Sequence, residues 1–159
     1  MNDTVHDDDE LTPLHPNYVK VLRIGWLVAT VPFIIGAGVL ESAGLLPIGS
    51  FLIPVLLLAA FLLIRVPLRR YHARGYQLGE ERLRVVRGLL FRSDTVVPFS
   101  RVQHIDVNRG PLERFYGLST LVLHTAGNHN ASVSLPGLAA GDAVEMREMI
   151  RAHVRRESL

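Results

Sequence analysis

The sequence predicts an α+β membrane protein. A two-helix transmembrane hairpin is followed by a small antiparallel β-barrel or pair of packed sheets, closed by a C-terminal α-helix. Three observations carry this expectation. Residues 24–64 hold a single charged side chain, Glu41. From Arg65 onward there are fifteen arginines and no lysine, and apolar residues there alternate with polar ones at period two. The final segment, GDAVEMREMIRAHVRR, returns to helical spacing.

Averages hide this division. The chain has 159 residues, 48% hydrophobic and 20% charged, with a formal charge of +2. Residues 1–16 carry Asp3, Asp7, Asp8, Asp9 and Glu10 and no Lys or Arg, so the rest of the chain stands at +7. Residues 1–16 read as a solvated, disordered acidic tail, with folding back onto the arginine-rich part, or recognition by a basic partner, as the alternatives. There is no cysteine, which excludes disulfides, thiolate nucleophiles and cysteine-ligated zinc.

The hairpin comes first, over residues 17–72. The uncharged run 24–40 is 17 residues long and the run 44–64 is 21, lengths that span a bilayer. Pro32, Pro47 and Pro54 are tolerated in bilayer helices, and Trp26 marks one interface. Neither a buried hairpin of a soluble protein nor a cleaved signal peptide fits as well. Both runs exceed ordinary core helices, and the N-terminal region is acidic. Lys20 and Arg23 precede the first run, while Arg65, Arg69, Arg70 and Arg74 follow the second. The connecting loop has no Lys or Arg, so both termini are expected in the cytoplasm, at the inner membrane. The four arginines are then expected contacts for anionic lipid.

Residues 73–159 form the expected cytoplasmic domain. YQLGEERLRVVRGLL reads as strand, Gly-Glu turn, strand, with Gly88 at the next turn. RSDTVVPFSRVQHIDV gives a strand, a kink at Pro98 and a further strand. In that last strand Ile105 and Val107 share one face, His104 and Asp106 the other. NRGPLERFYGL is a connection turning at Gly110 and Pro111, with Phe115 and Leu118 packed inside. STLVLHTAG is a strand with Leu121 and Leu123 on one face, Val122 and His124 on the other. A turn at NHN and a strand at ASVSLPG follow. The closing helix aligns Ala143, Met146, Ile150 and Val154, with Asp142 before Glu145 as a capping-box variant. Six or seven short strands result.

These pieces also carry a resemblance. YQLGEERLRVVRGLLFR, RVQHIDV, GPLERFYGL and LVLHTAG, with LHP before the first helix, resemble the motifs of bacterial pleckstrin-homology-like membrane proteins, the YdbS-like group. The resemblance covers nearly everything after residue 11. It implies a PH-like barrel with a C-terminal helix and no enzyme activity. It also makes a companion PH-like membrane protein an expected partner. Eukaryotic PH domains that bind phosphoinositides carry basic residues in the first strand–strand loop. That loop here is Gly79-Glu80-Glu81, which speaks against such recognition.

Three functions are compatible with the residues. The leading one is a non-enzymatic, membrane-anchored interaction module. It would dock a membrane-protein partner, or copies of itself, through His104, Asp106, Arg109, Arg114 and Tyr116. The second is a module for anionic lipid or envelope stress, with resistance to antimicrobials as one form. The third is a metal-dependent enzyme using His104, Asp106 and His124, with His129 as a further candidate ligand. Against it, Ser100 lacks a nucleophile-elbow context, and the histidine spacing matches no ligand motif. Neither cofactor nor nucleic acid is expected, because the arginines lie scattered along strands without a recognition motif.

Overall fold

A run of apolar residues without charge satisfies its backbone within itself by becoming helical, and two such helices begin the chain. The computed structural model describes residues 11–89, 91–126 and 132–157. After a two-residue strand β1 (Thr12–Pro13) come α1 (Tyr18–Ser42) and α2 (Leu52–His72). Then follow β2 (Gly75–Leu78), β3 (Arg82–Arg87), β4 (Ser93–Pro98), a 3₁₀ turn (Phe99–Arg101) and β5 (Val102–Asn108). The chain ends with α3 (Pro111–Phe115), β6 (Leu118–Thr125), β7 (Ser132–Ala139) and α4 (Ala140–Glu157). Two compact units result. One is Pro16–Tyr71; the other joins the residues up to His15 to everything from His72 onward.

Both helices are long and apolar enough to cross a membrane, and only 11% of each apolar window is buried. A core helix of a soluble protein shows the reverse. Thr30, Ala37 and Ala59 are the buried residues of the apolar stretches, small side chains of the kind that let bilayer helices approach.

The helix limits differ from the expected 24–40 and 44–64. Absence of charge marks what lies in hydrocarbon, whereas the helical hydrogen-bond ladder continues into the polar residues beyond. Arg65, Arg69 and Arg70 therefore lie within α2 rather than after it. The second helix starts late because Gly44 and Gly49 take φ of 65° and 95°, a left-handed conformation that ends helices. Pro47 lies in this connection. Pro54 sits in the first turn of α2, where no N–H is needed. Glu41, the lone charge of the stretch, accepts hydrogen bonds from the backbone N–H groups of Gly49, Phe51 and Leu52. It thereby caps the start of α2.

The second unit contains two antiparallel sheets, ordered β1-β2-β3-β4 and β5-β6-β7. Alternation decides what each buries. In β3, Leu83 and Val85 are enclosed; in β6, Leu121 and Leu123; in β7, Val133 and Leu135. Pro98 ends β4, and the 3₁₀ turn then sends Phe99 inward. On α4, Ala143, Met146 and Ile150 are buried, as their spacing requires. His153 meets the Phe99 ring edge-on at 5.5 Å.

Four expectations need correction. Residues 11–15 are not tail. Thr12 pairs with Tyr76, Leu14 is buried, and the His15 N–H donates to the Gly137 carbonyl at 2.8 Å. This segment thus joins the first sheet and seals the rim of β7 in the second. The acidic residues 1–10 lie outside the described residues. The connection after β5 is a short helix rather than a bare turn, with Pro111 at its first position and Glu113 accepting from the Gly110 N–H at 2.7 Å. Phe115 is not packed inside: it is 81% exposed, while Leu118 is fully buried. None of the five residues of this helix is buried, so Phe115 at its end stays outside, and the core is re-entered at Leu118 on β6. Asp142 lies within the first turn of α4, which begins at Ala140. It faces the helix dipole there rather than acting as the cap.

Candidate functional site

Pairing register brings three polar residues together. Across β5 and β6, His104 stands opposite His124 and Asp106 opposite Val122. Past the irregularity between Val102 and His104, positions 104 and 106 of β5 and 122 and 124 of β6 therefore share the solvent face. His104 Nε2 lies 2.8 Å from Asp106 Oδ1, and His124 Nε2 lies 3.2 Å from Asp106 Oδ2. The two rings are 6.0 Å apart. One carboxylate thus orders two imidazoles on a face open to water. Ser100 is exposed on the 3₁₀ turn. Among the described residues no group of three His, Asp or Glu side chains is arranged to hold a metal ion. His129 lies outside the described residues.

Arg109 and Arg114, expected to act alike, do different things. Arg109 Nε donates to Ser119 Oγ at 2.8 Å, and Ser119 is completely buried. That arginine ties the β5–α3 connection to β6. Arg114 is exposed on α3, next to Phe115, whose ring meets Tyr116 edge-on at 5.1 Å. Glu113 braces this corner twice, through Gly110 and through the Thr120 hydroxyl at 2.6 Å. Leu112, Arg114 and Phe115 are therefore presented to solvent by a pinned turn. The apolar members of this patch were invisible to period counting, since a five-residue helix has too few turns for a stripe.

Elsewhere on the domain, Arg84 grips Asp94 diagonally across β3 and β4, with Nη2 to Oδ2 at 2.7 Å. Hydrogen bonds from that guanidinium hold the Asp94 carboxyl below the usual range for aspartate. The β2–β3 turn exposes Glu80 and Glu81, an acidic edge unsuited to phosphate. Between β5 and α4 runs a cleft of about 90 Å³, lined by Val102, His104, Ile105, Arg151 and Val154 among others. Of the expected lipid-contacting arginines, Arg65 and Arg69 are exposed on α2, and Arg74 follows it. Arg70 lies over the Trp26 ring, 5.4 Å from its centre.

Comparison with known proteins agrees with this architecture. The family model described as bacterial PH domain matches residues 22–154. The transmembrane protein YdbS of Bacillus subtilis (strain 168) is 31% identical over 85 residues, covering 54% of this chain. The chain spans about half the length, 52%, of that curated relative. Among solved structures, a DUF1696 family protein with a pleckstrin-homology domain from Shewanella loihica PV-4 is similar at 18% identity and a TM-score of 0.41. That match covers 54% of this chain and 74% of the other.

Proposed function

The chain belongs to the bacterial PH domain family, and from that premise we propose that it is a non-catalytic, membrane-anchored interaction module. Its helical hairpin holds the PH-like domain at the inner leaflet, with both termini in the cytoplasm. There the domain docks a membrane-protein partner, a companion PH-like protein or a second copy of itself. Tethering to a surface raises effective concentration, so a small contact suffices.

One observation carries the reading. Phe115 stands 81% exposed on a turn that hydrogen bonds hold rigid. Aromatic and arginine side chains are the residues that dominate protein–protein contacts. Arg114 and Tyr116 flank Phe115, and Leu112 adds apolar area. Presenting a phenyl ring to water has no folding benefit for the domain, and a partner that covers it supplies one. Of the five expected docking residues, Arg114 and Tyr116 sit at this corner. His104 and Asp106 lie on the solvent face of the adjoining strand, and Arg109 supports the corner from beneath.

The test is photocrosslinking from position 115 in native membranes, with the whole chain. A discrete adduct to a membrane protein or to a second copy, lost in Arg114→Glu, supports the reading. Tagged and untagged copies expressed together separate self-association from partner capture. Labelling of lipid alone, unchanged by Arg114→Glu, would favour a lipid-directed role and overturn this one.

A further inference from the structure

We infer that the hairpin binds one anionic phospholipid, its phosphate at Arg70 and one acyl chain in a groove between α1 and α2. The site has two adjoining parts. The first is a cleft of about 300 Å³ bordered by Gly25, Trp26, Ala29 and Arg70. The second is a groove of about 310 Å³ walled by Trp26, Ala29, Phe33, Leu58, Ala59 and Leu62. Trp26 and Ala29 line both, so the two spaces adjoin.

Small residues make this space. A Cβ placed on Gly25 would meet nothing within 4 Å, and Ala29 and Ala59 add only methyl groups. The Thr30 hydroxyl is turned back to the Leu27 carbonyl at 2.9 Å, so it asks nothing polar of an occupant. The deeper groove is accordingly hydrocarbon on every side. From Trp26 to Phe33 it extends about 10 Å along the helix, roughly two thirds of one leaflet of a core about 30 Å thick.

The mouth is different. Arg70 lies over the indole, its Cζ 5.4 Å from the ring centre, which holds the guanidinium at the mouth by cation–π attraction. Among the described residues no carboxylate pairs with it. A guanidinium held at that mouth without a carboxylate partner matches a phosphate, and the groove below it matches an acyl chain. A transmembrane helix in the same place would have to cover that cation or supply its own carboxylate, which makes lipid the occupant the chemistry favours.

Trp26 is the chain's single tryptophan, so its fluorescence reads the site alone. The full-length protein, one copy per nanodisc, is placed in phosphatidylcholine. Either phosphatidylglycerol or phosphatidylcholine with brominated acyl chains is then titrated in. The expected result is half-quenching at a several-fold lower mole fraction of the anionic lipid, about fivefold for one guanidinium near the surface. Arg70→Gln removes the difference, Arg70→Lys keeps part of it, and Arg69→Gln leaves it intact. Comparing two lipids in the same variant cancels any direct effect of the substitution on indole emission. Equal quenching by both lipids in the wild type overturns the inference. So does a preference that survives Arg70→Gln, which belongs to a diffuse arginine belt. Absence of quenching by either lipid also overturns it, since protein then fills the groove.

Discussion

Replacing Arg109 by alanine tests whether that residue is scaffold or docking surface. Its Nε donates to Ser119 Oγ at 2.8 Å, and Ser119 is fully enclosed. Removing the arginine leaves a buried hydroxyl without its donor, a loss of about 1–3 kcal/mol. For this fully enclosed hydroxyl the expected loss is about 2 kcal/mol. Ser119→Ala deletes the acceptor instead, and the exposed guanidinium then turns to water, so about 1 kcal/mol is expected. If the bond is the reason, the double variant loses about 1 kcal/mol, no more than Ser119→Ala alone, rather than 3, a coupling of about 2 kcal/mol. For a domain of this size each kcal/mol moves the melting temperature by about 4–8 °C. Thermal melts of the full chain in detergent micelles read this, with hydrogen exchange of the β6 amides as a local check. Additive single effects, or an Arg109→Ala protein as stable as wild type, would refute the account and return Arg109 to the surface.

Three further outcomes follow from the same geometry. Leu121→Ala empties a fully buried position on the central strand of the second sheet; a loss of about 3 kcal/mol is expected in the same melts. Gly88→Ala would set a Cβ 2.6 Å from the Phe91 carbonyl oxygen and 2.7 Å from the Arg92 Cα. Both are backbone atoms, so the β3–β4 turn must shift, at about 1–3 kcal/mol, with faster amide exchange confined to that hairpin. Asp94 titrates below the ordinary value of 3.8 because Arg84 grips it. Its folded value is below its unfolded one, so its contribution is complete above that range and is lost as pH falls through the folded value. Asp94→Asn should flatten the dependence of stability on pH below about 4 and change little at neutral pH, where an exposed pair contributes little. An unchanged acid limb would remove Asp94 as its source.

The division into hairpin and sheet domain was legible in the sequence because both signals are local. Absence of charge over residues 24–64, relieved only by Glu41, needs no knowledge of neighbours. Nor does the alternation in RLRVV, or the spacing of Ala143, Met146 and Ile150. Each follows from a fixed repeat of 2.0 or 3.6 residues. The loop at residues 43–51 was harder. Where α1 ends depends on glycines with positive φ and on a carboxylate that reaches forward to cap α2, and neither is visible in hydropathy.

The sequence by itself thus determined the membrane hairpin, the strands and the buried face of the last helix. Tertiary structure alone decided the rest, because those features depend on partners distant in the chain. Thr12 becomes a strand only when β2 offers an edge. His104, Asp106 and His124 gather only at the register that pairs positions 104 and 124; a slip of one residue would put them on opposite faces. Arg109 became scaffold because the second strand of its sheet presents Ser119 beneath it. Phe115 reached solvent because none of the short helix is buried, and the chain re-enters the core only at Leu118 on β6.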